Sequence, residues 1–425
     1  MRAGPLRLYD TARREVVEFE PAAGPGGTVT IYTCGITPYD SAHLGHAATY
    51  LAYDIVQRRL ADLGYKCLLV RNVTDVDDDI LRKARELGVY YLDLAAEEMA
   101  RFSADMDALG LLAPASEPRA TSAIADILGF IGMVLANGHA YQAGGAVYFD
   151  VSSWPGFGSL SRLGRDEMLR LAAERGGNPG DPDKADPLDF VLWQPSAPDE
   201  PAWPSMWGPG RPGWHIECSA LVIRELGVTI DLHGGGSDLI FPHHECEAAQ
   251  SQAATGEPFV RHWAHAGMVR YQGEKMSKSL GNLVFVRDLL DKWEPAVVRL
   301  ALLSQHYRSD WDWDDELLDQ ASARLALWRA AATGTAAGTG EHTTAPREGP
   351  ASGGPSGRAT VLDEVRAALD DDLATPRALA AIDAAARAPA GPSAGDGEGA
   401  PDATTGGRRA LVSSAALLGI DLPSG

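Results

Sequence analysis

Two histidines near the N-terminus have a spacing that suits phosphate chemistry. His43 and His46 stand three residues apart in the run HLGH, so on a helix they share one face of one turn. Gly45 between them leaves room for a ligand to come close to the backbone. A helix N-terminus also offers unpaired N–H groups and a positive dipole end, and two imidazoles there can stabilise a phosphate that gains negative charge. Two surface histidines without a role explain these four residues equally well.

A second polar stretch changes that balance. Lys275 and Lys278 belong to the run KMSKS, flanked by glycines, and could clamp a triphosphate. Alone, a basic pentapeptide is usually solvated surface, but HLGH followed much later by KMSKS is a far more specific pair. The pair resembles the class I aminoacyl-tRNA synthetases. That resemblance implies an α/β fold with a doubly wound, Rossmann-like parallel sheet, an inserted connective domain and C-terminal helices. It also implies that an amino acid is activated as its adenylate.

The elements around HLGH must position these side chains. Residues 28–32 are β-branched and aromatic, which predicts a strand, and residues 37–41 have turn composition. From His43 an apolar helical face continues to about Leu63, and residues 65–74 predict a second buried strand. This order indicates a βαβ unit with parallel strands. Ligands bind at the carboxyl ends of such strands, where Asn72, Val73 and Thr74 stand.

Three distant residues suggest a metal site on this fold. Cys34, Cys218 and His243 each end or flank a predicted strand on the ligand side of the sheet. Two thiolates and an imidazole suit Zn²⁺, with Glu247 as a candidate fourth ligand or with the fourth position open. Singly, each is better explained as a core thiol or a hydrogen-bonded histidine. Together they predict zinc, and an open position on zinc selects a thiol substrate, cysteine, over serine.

Composition limits the class of protein. The 425 residues suffice for two or three domains, and four cysteines in so long a chain do not form a disulfide framework. The chain has 58 acidic against 37 basic residues, a formal charge of −21, which argues against extensive nucleic-acid contact but leaves a local basic groove open. Neither a signal peptide nor an apolar stretch of membrane-spanning length is evident. We therefore expect a cytoplasmic monomer without a membrane partner.

Further motifs narrow the resemblance. The runs TCGITPYD, HLGH, NVTDVDD, RPGWHIECSA, GGGSDLIFPHHE and KMSKSLGN together resemble cysteinyl-tRNA synthetase and its shorter relatives, the cysteine ligases of mycothiol biosynthesis. The resemblance covers about residues 6–333. AATY after HLGH and AERGGNP at 173–179 favour the ligases. The ligase pattern has Asp-Pro where this chain has Asn178-Pro179, which leaves the role of Asn178 open.

The ligase resemblance implies a set of site residues. The zinc ligands would be Cys34, Cys218 and His243, and the catalytic residues His43, His46, Lys275 and Lys278. The cysteinyl adenylate would be held by Cys34, Gly35, Ile36, Thr37, Thr49, Asn72, Val73, Thr74, Trp214, Gly236, Ser237, Asp238 and Val269. Within this set Val269 would lie against the adenine and Asp238 would accept from ribose hydroxyls. Trp214 would wall the cysteine pocket.

The activity implied is ATP-dependent ligation of L-cysteine to the amine of glucosaminyl-inositol. It would proceed through a cysteinyl adenylate, with Mg²⁺ on ATP and one zinc per chain, and release AMP and diphosphate. Glu247 also resembles the fourth zinc ligand of the tRNA synthetase, so a truncated or repurposed cysteinyl-tRNA synthetase stays open as an alternative. A non-catalytic zinc- or thiol-binding protein would not need both HLGH and KMSKS.

Changes in composition predict the domain boundaries. Residues 1–110 and 205–284 would form the two halves of the catalytic domain, with the connective insertion at 111–204. Residues 285–333 would form a helical stem. Residues 334–425 contain no Phe, Trp or Tyr and would be a partly flexible acidic tail with short helices. Within the insertion, the loop at 174–177 could approach a ligand or be purely structural, and the sequence does not decide between them.

Overall fold

The computed structural model describes residues 4–40, 42–276, 281–335, 359–388 and 403–423. Residues 277–280, which include Lys278, lie outside these ranges. In chain order, the strands are β1 (Arg7–Asp10), β2 (Glu15–Glu18), β3 (Thr28–Ile36), β4 (Lys66–Val73), β5 (Ala140–Ala143), β6 (Ala146–Phe149), β7 (Phe190–Pro195), β8 (Gly210–Pro212), β9 (Ile230–Gly236), β10 (Val260–Ala266), β11 (Val269–Tyr271), β12 (Glu274–Lys275) and β13 (Trp311–Trp313).

The described residues also form thirteen α-helices. They are α1 (Leu44–Asp62), α2 (Asp78–Leu87), α3 (Tyr91–Ala108), α4 (Ile124–Ala136), α5 (Arg165–Glu174), α6 (Trp214–Leu226), α7 (Glu245–Thr255), α8 (Val286–Leu290), α9 (Pro295–Leu303), α10 (Glu316–Thr333), α11 (Val361–Leu369), α12 (Thr375–Arg387) and α13 (Ala403–Leu417). A 3₁₀ turn at Ser237–Leu239 and a π-helical turn at Ile240–His244 join β9 to α7.

A four-stranded parallel sheet, ordered β10-β9-β3-β4, confirms the predicted doubly wound fold class. The β3–α1–β4 unit is the one expected from the sequence, and α1 ends before Gly64, whose φ of +90° a residue with a side chain rarely adopts. Parallel strands direct their carboxyl ends to one edge. This arrangement therefore brings the loops after β3, β4 and β9 together.

Strand β9 continues through a glycine-rich stretch. Residues 233–238 have the composition of a loop, yet the strand runs to Gly236 and its glycines pair with β10. A Cβ on Gly234 would lie 2.2 Å from the ring of Tyr53, whose hydroxyl donates to the carbonyl oxygens of Gly235 and Ala264, 2.8 Å from each. The glycines thus let helix α1 lie directly against two strands.

Two further sheets and a group of C-terminal helices accompany this sheet. Strands β5-β6-β7-β8 form an antiparallel sheet, and the three-stranded sheet β12-β11-β13 includes a strand at 311–313 where helices were expected. The described parts of the C-terminal region form α11, α12 and α13, and their buried side chains join the same apolar core as β3 and α1. The C-terminal helices therefore share the core that supports the central sheet.

Candidate active site and metal centre

An open cavity with an empty volume of about 830 Å³ lies at the carboxyl edge of the central sheet. It is lined by Cys34, Gly35, His43, Gly45, His46, Thr49, Tyr50, Gly236, Asp238, Leu239, Gly267, Met268, Val269 and Met276. Eight of these were predicted as site residues, namely Cys34, Gly35, His43, His46, Thr49, Gly236, Asp238 and Val269. Side chains from β3, α1, β9 and β11 thus converge on one cavity.

The N-terminus of α1 supplies the two histidines. His43 is the N-cap, and its Nδ1 accepts a hydrogen bond of 3.1 Å from the Gly45 amide. Because Nδ1 accepts, a neutral His43 ring carries its proton on Nε2. The ring stacks on His46, with centroids 3.9 Å apart. The site therefore presents an imidazole N–H donor at a helix N-terminus.

The chain on both sides of the KMSKS loop is anchored next to this helix. Before the loop, Lys275 pairs with Arg270 in the β11–β12 ladder. After it, the Leu44 amide donates to the Val284 carbonyl oxygen (2.9 Å), and the Val286 amide donates to Ala42 (3.2 Å). The backbone on both sides of the loop is thus held close to HLGH.

A cluster of metal-ligand types adjoins the cavity at Cys34. One potential ligand atom from each of Cys34, Cys218, His243 and Glu247 lies within 4.8 Å of the other three, and all four residues are buried. The two sulfur atoms are 3.8 Å apart, and Glu247 Oε1 lies 3.1 Å from His243 Nε2. This set of sulfur, nitrogen and oxygen donors fits a tetrahedral metal ion.

Two neighbours orient the cluster. His215 Nδ1 lies 2.9 Å from His243 Nδ1, which leaves His243 Nε2 to face the cluster. The Trp214 ring stacks on His243 with centroids 4.2 Å apart, and both Trp214 and Cys218 lie on α6. Trp214 therefore stands one helical turn before Cys218, next to the cluster.

Burial disfavours the charged forms of the Cys34 thiol and the His243 imidazole. Burial, followed by the hydrogen bond with Cys218, raises the pKa of the Cys34 thiol well above its ordinary value. Burial likewise lowers the pKa of His243 well below its ordinary value, and the neighbouring His215 adds to this shift. A metal ion would need to displace the thiol protons, so metal uptake would release protons.

A second group of ligand types shares two members with the first. It consists of Cys34, His233, His244 and Glu247. His244 Nε2 lies 3.3 Å from the Cys34 sulfur, and His233 Nε2 lies 3.1 Å from Glu247 Oε2. Because Cys34 and Glu247 belong to both groups, this is a shell around one centre and not a separate site.

The remaining predicted residues lie outside the cavity lining. The Asn72 side chain accepts from the Gly35 amide (2.8 Å) and donates to the Thr74 hydroxyl (3.1 Å). A Cβ on Gly35 would lie 1.6 Å from the Asn72 carbonyl oxygen, so glycine is required there. Ile36 and Val73 pair within the buried sheet, and the Thr37 hydroxyl donates to Asp77 (3.4 Å). Trp214 begins α6, and Ser237 begins the 3₁₀ turn.

Sequence reasoning missed several residues of the site. Tyr50, whose hydroxyl donates to the Cys34 carbonyl oxygen (3.1 Å), stands four residues after His46, so helical periodicity could have identified it. His215, His233 and His244 gave no comparable signal. They come from α6, β9 and the π turn, and only the fold brings these elements together.

Comparison with known proteins gives the class. Residues 22–323 match the family model described as the tRNA synthetases class I (C) catalytic domain. The fold is similar to that of Mycobacterium tuberculosis methionyl-tRNA synthetase in complex with methionyl-adenylate, with a TM-score of 0.62, 17% identity, and coverage of 92% of this chain and 89% of that chain. A class I synthetase-type catalytic domain is thus the class that the fold and the site define.

Curated relatives give a narrower assignment. The chain is 50% identical over 385 residues to the L-cysteine:1D-myo-inositol 2-amino-2-deoxy-alpha-D-glucopyranoside ligase of Thermobispora bispora, covering 90% of each protein. It is 47% identical over 427 residues to the ligase of the same name from Salinispora tropica, covering 99% of this chain and 98% of that protein. The chain belongs to this ligase family.

Hydropathy adds one observation. Among the residues that the structure describes, the helices are too short or too polar to cross a lipid bilayer.

Proposed function

We propose that this chain joins L-cysteine to the amine of glucosaminyl-inositol, using ATP and passing through a cysteinyl adenylate. The observation that carries the proposal is the shared position of Cys34, which belongs to the metal-ligand cluster and also lines the cavity that contains His43 and His46. A thiol-selecting centre beside a phosphate-binding helix suits activation of cysteine. The names and the identity of the curated relatives support the amino-sugar acceptor.

In the first half-reaction the cysteine carboxylate attacks the α-phosphate of ATP. A bond forms between a carboxylate oxygen and the α-phosphorus, and the bond to the leaving diphosphate breaks. The Nε2–H of His43 is placed to donate to the developing negative charge, with His46 beside it. Lys275, Lys278 and Mg²⁺ would neutralise the diphosphate.

The metal centre gives selectivity for cysteine. We assign Cys34, Cys218 and His243 as ligands of one zinc, with Glu247 able to complete a tetrahedral set before substrate binds. When bound, zinc lowers the pKa of a thiol and binds the thiolate directly. His215 fixes the orientation of His243, and Trp214 covers its ring, so the chain holds the ligands ready.

The adenylate would extend from this centre along the cavity. Val269 is buried in the lining and offers an apolar contact for adenine, and Asp238 offers a carboxylate to ribose hydroxyls. Gly236 lies on the same wall, and a Cβ there would be 2.6 Å from Asp238 Oδ1. The lack of a side chain at residue 236 therefore leaves room for the Asp238 carboxylate.

In the second half-reaction the acceptor amine attacks the carbonyl carbon of the adenylate. A C–N bond forms, the bond from carbon to the phosphate oxygen breaks, and AMP leaves. The nitrogen loses a proton to water. A neutral amine is a strong nucleophile toward an acyl phosphate, so the chain need only bind the acceptor close to the adenylate.

ATP–diphosphate exchange tests the activation step. The unaltered, zinc-loaded chain should exchange label with cysteine far faster than with serine. His43→Ala should lower cysteine-dependent exchange by about 10²–10³-fold while zinc content stays the same, because one transition-state donor is lost. Cys218→Ser should lower zinc content and, with it, the preference for cysteine over serine.

Two outcomes would contradict this assignment. Exchange that remains unchanged in His43→Ala would remove the histidine from the phosphate site. Equal exchange with cysteine and serine by the zinc-loaded chain would remove the metal from substrate selection.

A further inference from the structure

The segment from Gly236 to Glu245 carries two groups that the proposed reaction uses. Asp238 lines the nucleotide end of the cavity, and His243 belongs to the metal cluster. The segment is irregular, with a 3₁₀ turn, a π-helical turn and one extended residue, Phe241 (φ −137°, ψ 134°). Its hydrogen bonding therefore differs from that of a regular helix, and contacts from outside must hold it in place.

Two carbonyl oxygens in this segment lack the amide donor that a helix would supply. In a regular α-helix the Asp238 carbonyl oxygen would accept from the amide of residue 242. Residue 242 is proline, which has no N–H. The partner of Phe241 would be Glu245, whose amide instead donates to Ile240 and Pro242. Both oxygens need a donor from elsewhere, since an unsatisfied buried carbonyl is costly.

Arg175 supplies that donor from the insertion. It follows α5 directly, and its Nη1 donates to the carbonyl oxygens of both Asp238 and Phe241. Gly176, with φ of +81°, turns the chain immediately afterwards. The ERGG stretch at 174–177 is the loop whose role the sequence left undecided.

A second contact joins the same two parts of the chain. The buried carboxylate of Glu245 accepts from the backbone amides of Gly158 (2.8 Å) and Ser161 (2.7 Å) of the insertion. The Phe157 ring also packs edge-on against Phe241, with centroids 6.3 Å apart. Glu245 therefore fixes the far end of the segment and Arg175 fixes the end that carries Asp238.

We propose that Arg175 is a positioning residue for nucleotide binding: by bridging the Asp238 and Phe241 carbonyls it holds Asp238 at the ribose position. This inference rests on the proposed function, in which Asp238 binds ATP. His243 has its own supports, namely His215 and the Trp214 ring. Loss of the Arg175 bridge should therefore weaken the binding of ATP much more than the binding of metal or of cysteine.

Three variants of the full chain provide the test. Arg175→Met keeps the length of the side chain but removes every donor, and Arg175→Lys keeps the charge but not the planar guanidinium. Arg170→Met is the matched control, since Arg170 lies on α5, the helix that Arg175 follows, is 53% exposed and pairs only with Glu167 and Glu174 among described residues. The measurements are the dissociation constant of a non-hydrolysable ATP analogue, the KM values for ATP and cysteine, and zinc content.

We expect Arg175→Met to raise the dissociation constant and the KM for ATP at least tenfold. The KM for cysteine and the zinc content should change less than twofold. Arg175→Lys should fall between Arg175→Met and the unaltered chain, and Arg170→Met should match the unaltered chain. If Arg175→Met fails to fold, the ratio of the two KM values in Arg175→Lys decides the question.

Two results would overturn the inference. Unchanged ATP affinity in Arg175→Met, or equal losses of ATP affinity, cysteine affinity and zinc, would show that Arg175 has no selective effect on the nucleotide. Failure of the unaltered chain to bind the ATP analogue would instead overturn the proposed function, and this inference would fall with it.

Discussion

Cys34 is the residue at which the two halves of the site meet. Its sulfur lies 3.8 Å from that of Cys218 and its carbonyl oxygen accepts from Tyr50 on α1. Under the proposed function, a ligand bound at the metal cluster through sulfur would have its carboxylate within the same cavity as His43. Cys34 would therefore connect selection of the amino acid with its activation.

Asp77 permits a prediction about pH at the scale of a single residue. The pKa of this carboxyl is raised to about 6, chiefly by burial; the Asp79 amide and Arg211 oppose the increase, and the charges of Asp79 and Asp78 add to it. The folded chain therefore binds a proton more tightly than the unfolded chain does. The stability from this group is present below about pH 4 and is lost as pH rises through about 6.

Asp77→Asn should remove the decrease in stability that ionisation of Asp77 causes as pH rises. Asparagine caps a helix about as well as aspartate, so the cap of α2 is retained. The free energy of unfolding of the variant, minus that of the unaltered chain, should therefore increase from pH 4.5 to pH 7. We expect an increase of about 1 kcal/mol after allowing for solvent screening. Urea denaturation at the two pH values measures the difference. An identical difference at both values would contradict the shifted pKa.

Single residues could be predicted from the sequence when their signal was local. His43, His46 and Cys34 stand in short motifs, and the structure brings all three to one cavity. His215, His233 and His244 could not be predicted, because they reach the metal cluster from three different elements that only the fold brings together. Arg175 illustrates a further limit: its partners are backbone carbonyls more than 60 residues away, so no side-chain pattern identifies them.

Helix α1 is the element that supports the site. Its N-terminus carries His43, the ring of Tyr53 lies over the glycines of β9, and its last turns contact the C-terminal helices. Near its C-terminal end the fully buried Arg59 donates from Nε and Nη2 to the two oxygens of Asp370, at 2.8 and 2.9 Å. The C-terminal region thus braces the helix whose N-terminus carries His43.

Asp370→Asn should therefore destabilise the whole molecule. The substitution leaves a buried guanidinium with a weaker acceptor, and breaking such a pair costs about 3–5 kcal/mol. Arg59 keeps Asp62 as a partner, so we expect a loss of about 2–4 kcal/mol. The shift in the midpoint of urea denaturation measures this loss.

The neighbouring Asp371 provides the control. It pairs with Arg377 at the surface, where the two side chains are 55% and 53% exposed. Asp371→Asn should change stability by less than about 1 kcal/mol. Equal effects of the two substitutions would show that the C-terminal helices do not brace α1.

Helices and strands were predicted well where the apolar periodicity was strong. They were predicted less well where tertiary contacts determine the secondary structure. The β3–α1–β4 unit follows from alternating and helical apolar patterns. The extension of β9 through its glycines depends on contact with Tyr53, which the local sequence does not show. The tail has the composition of a flexible segment, yet its small apolar residues pack against α10 and α1.

At the scale of the whole molecule, the acidic charge bears on the acceptor. A formal charge of −21 repels a polyanion such as tRNA, and the C-terminal region is acidic and lacks aromatic residues. Its described helices contribute Leu369, Leu379 and Leu411 to the common core and do not form a separate basic module. A small amine acceptor agrees with such a surface better than a nucleic acid does.

The most direct measurement supplies the zinc-loaded protein with ATP, Mg²⁺ and cysteine, together with either glucosaminyl-inositol or tRNA, and determines the products by mass. Our account predicts the cysteinyl amide of the pseudodisaccharide, with AMP and diphosphate, and no charged tRNA. Cysteinylated tRNA without the amide would contradict it, because the chain would then be a minimal synthetase that binds its acceptor without a basic C-terminal domain.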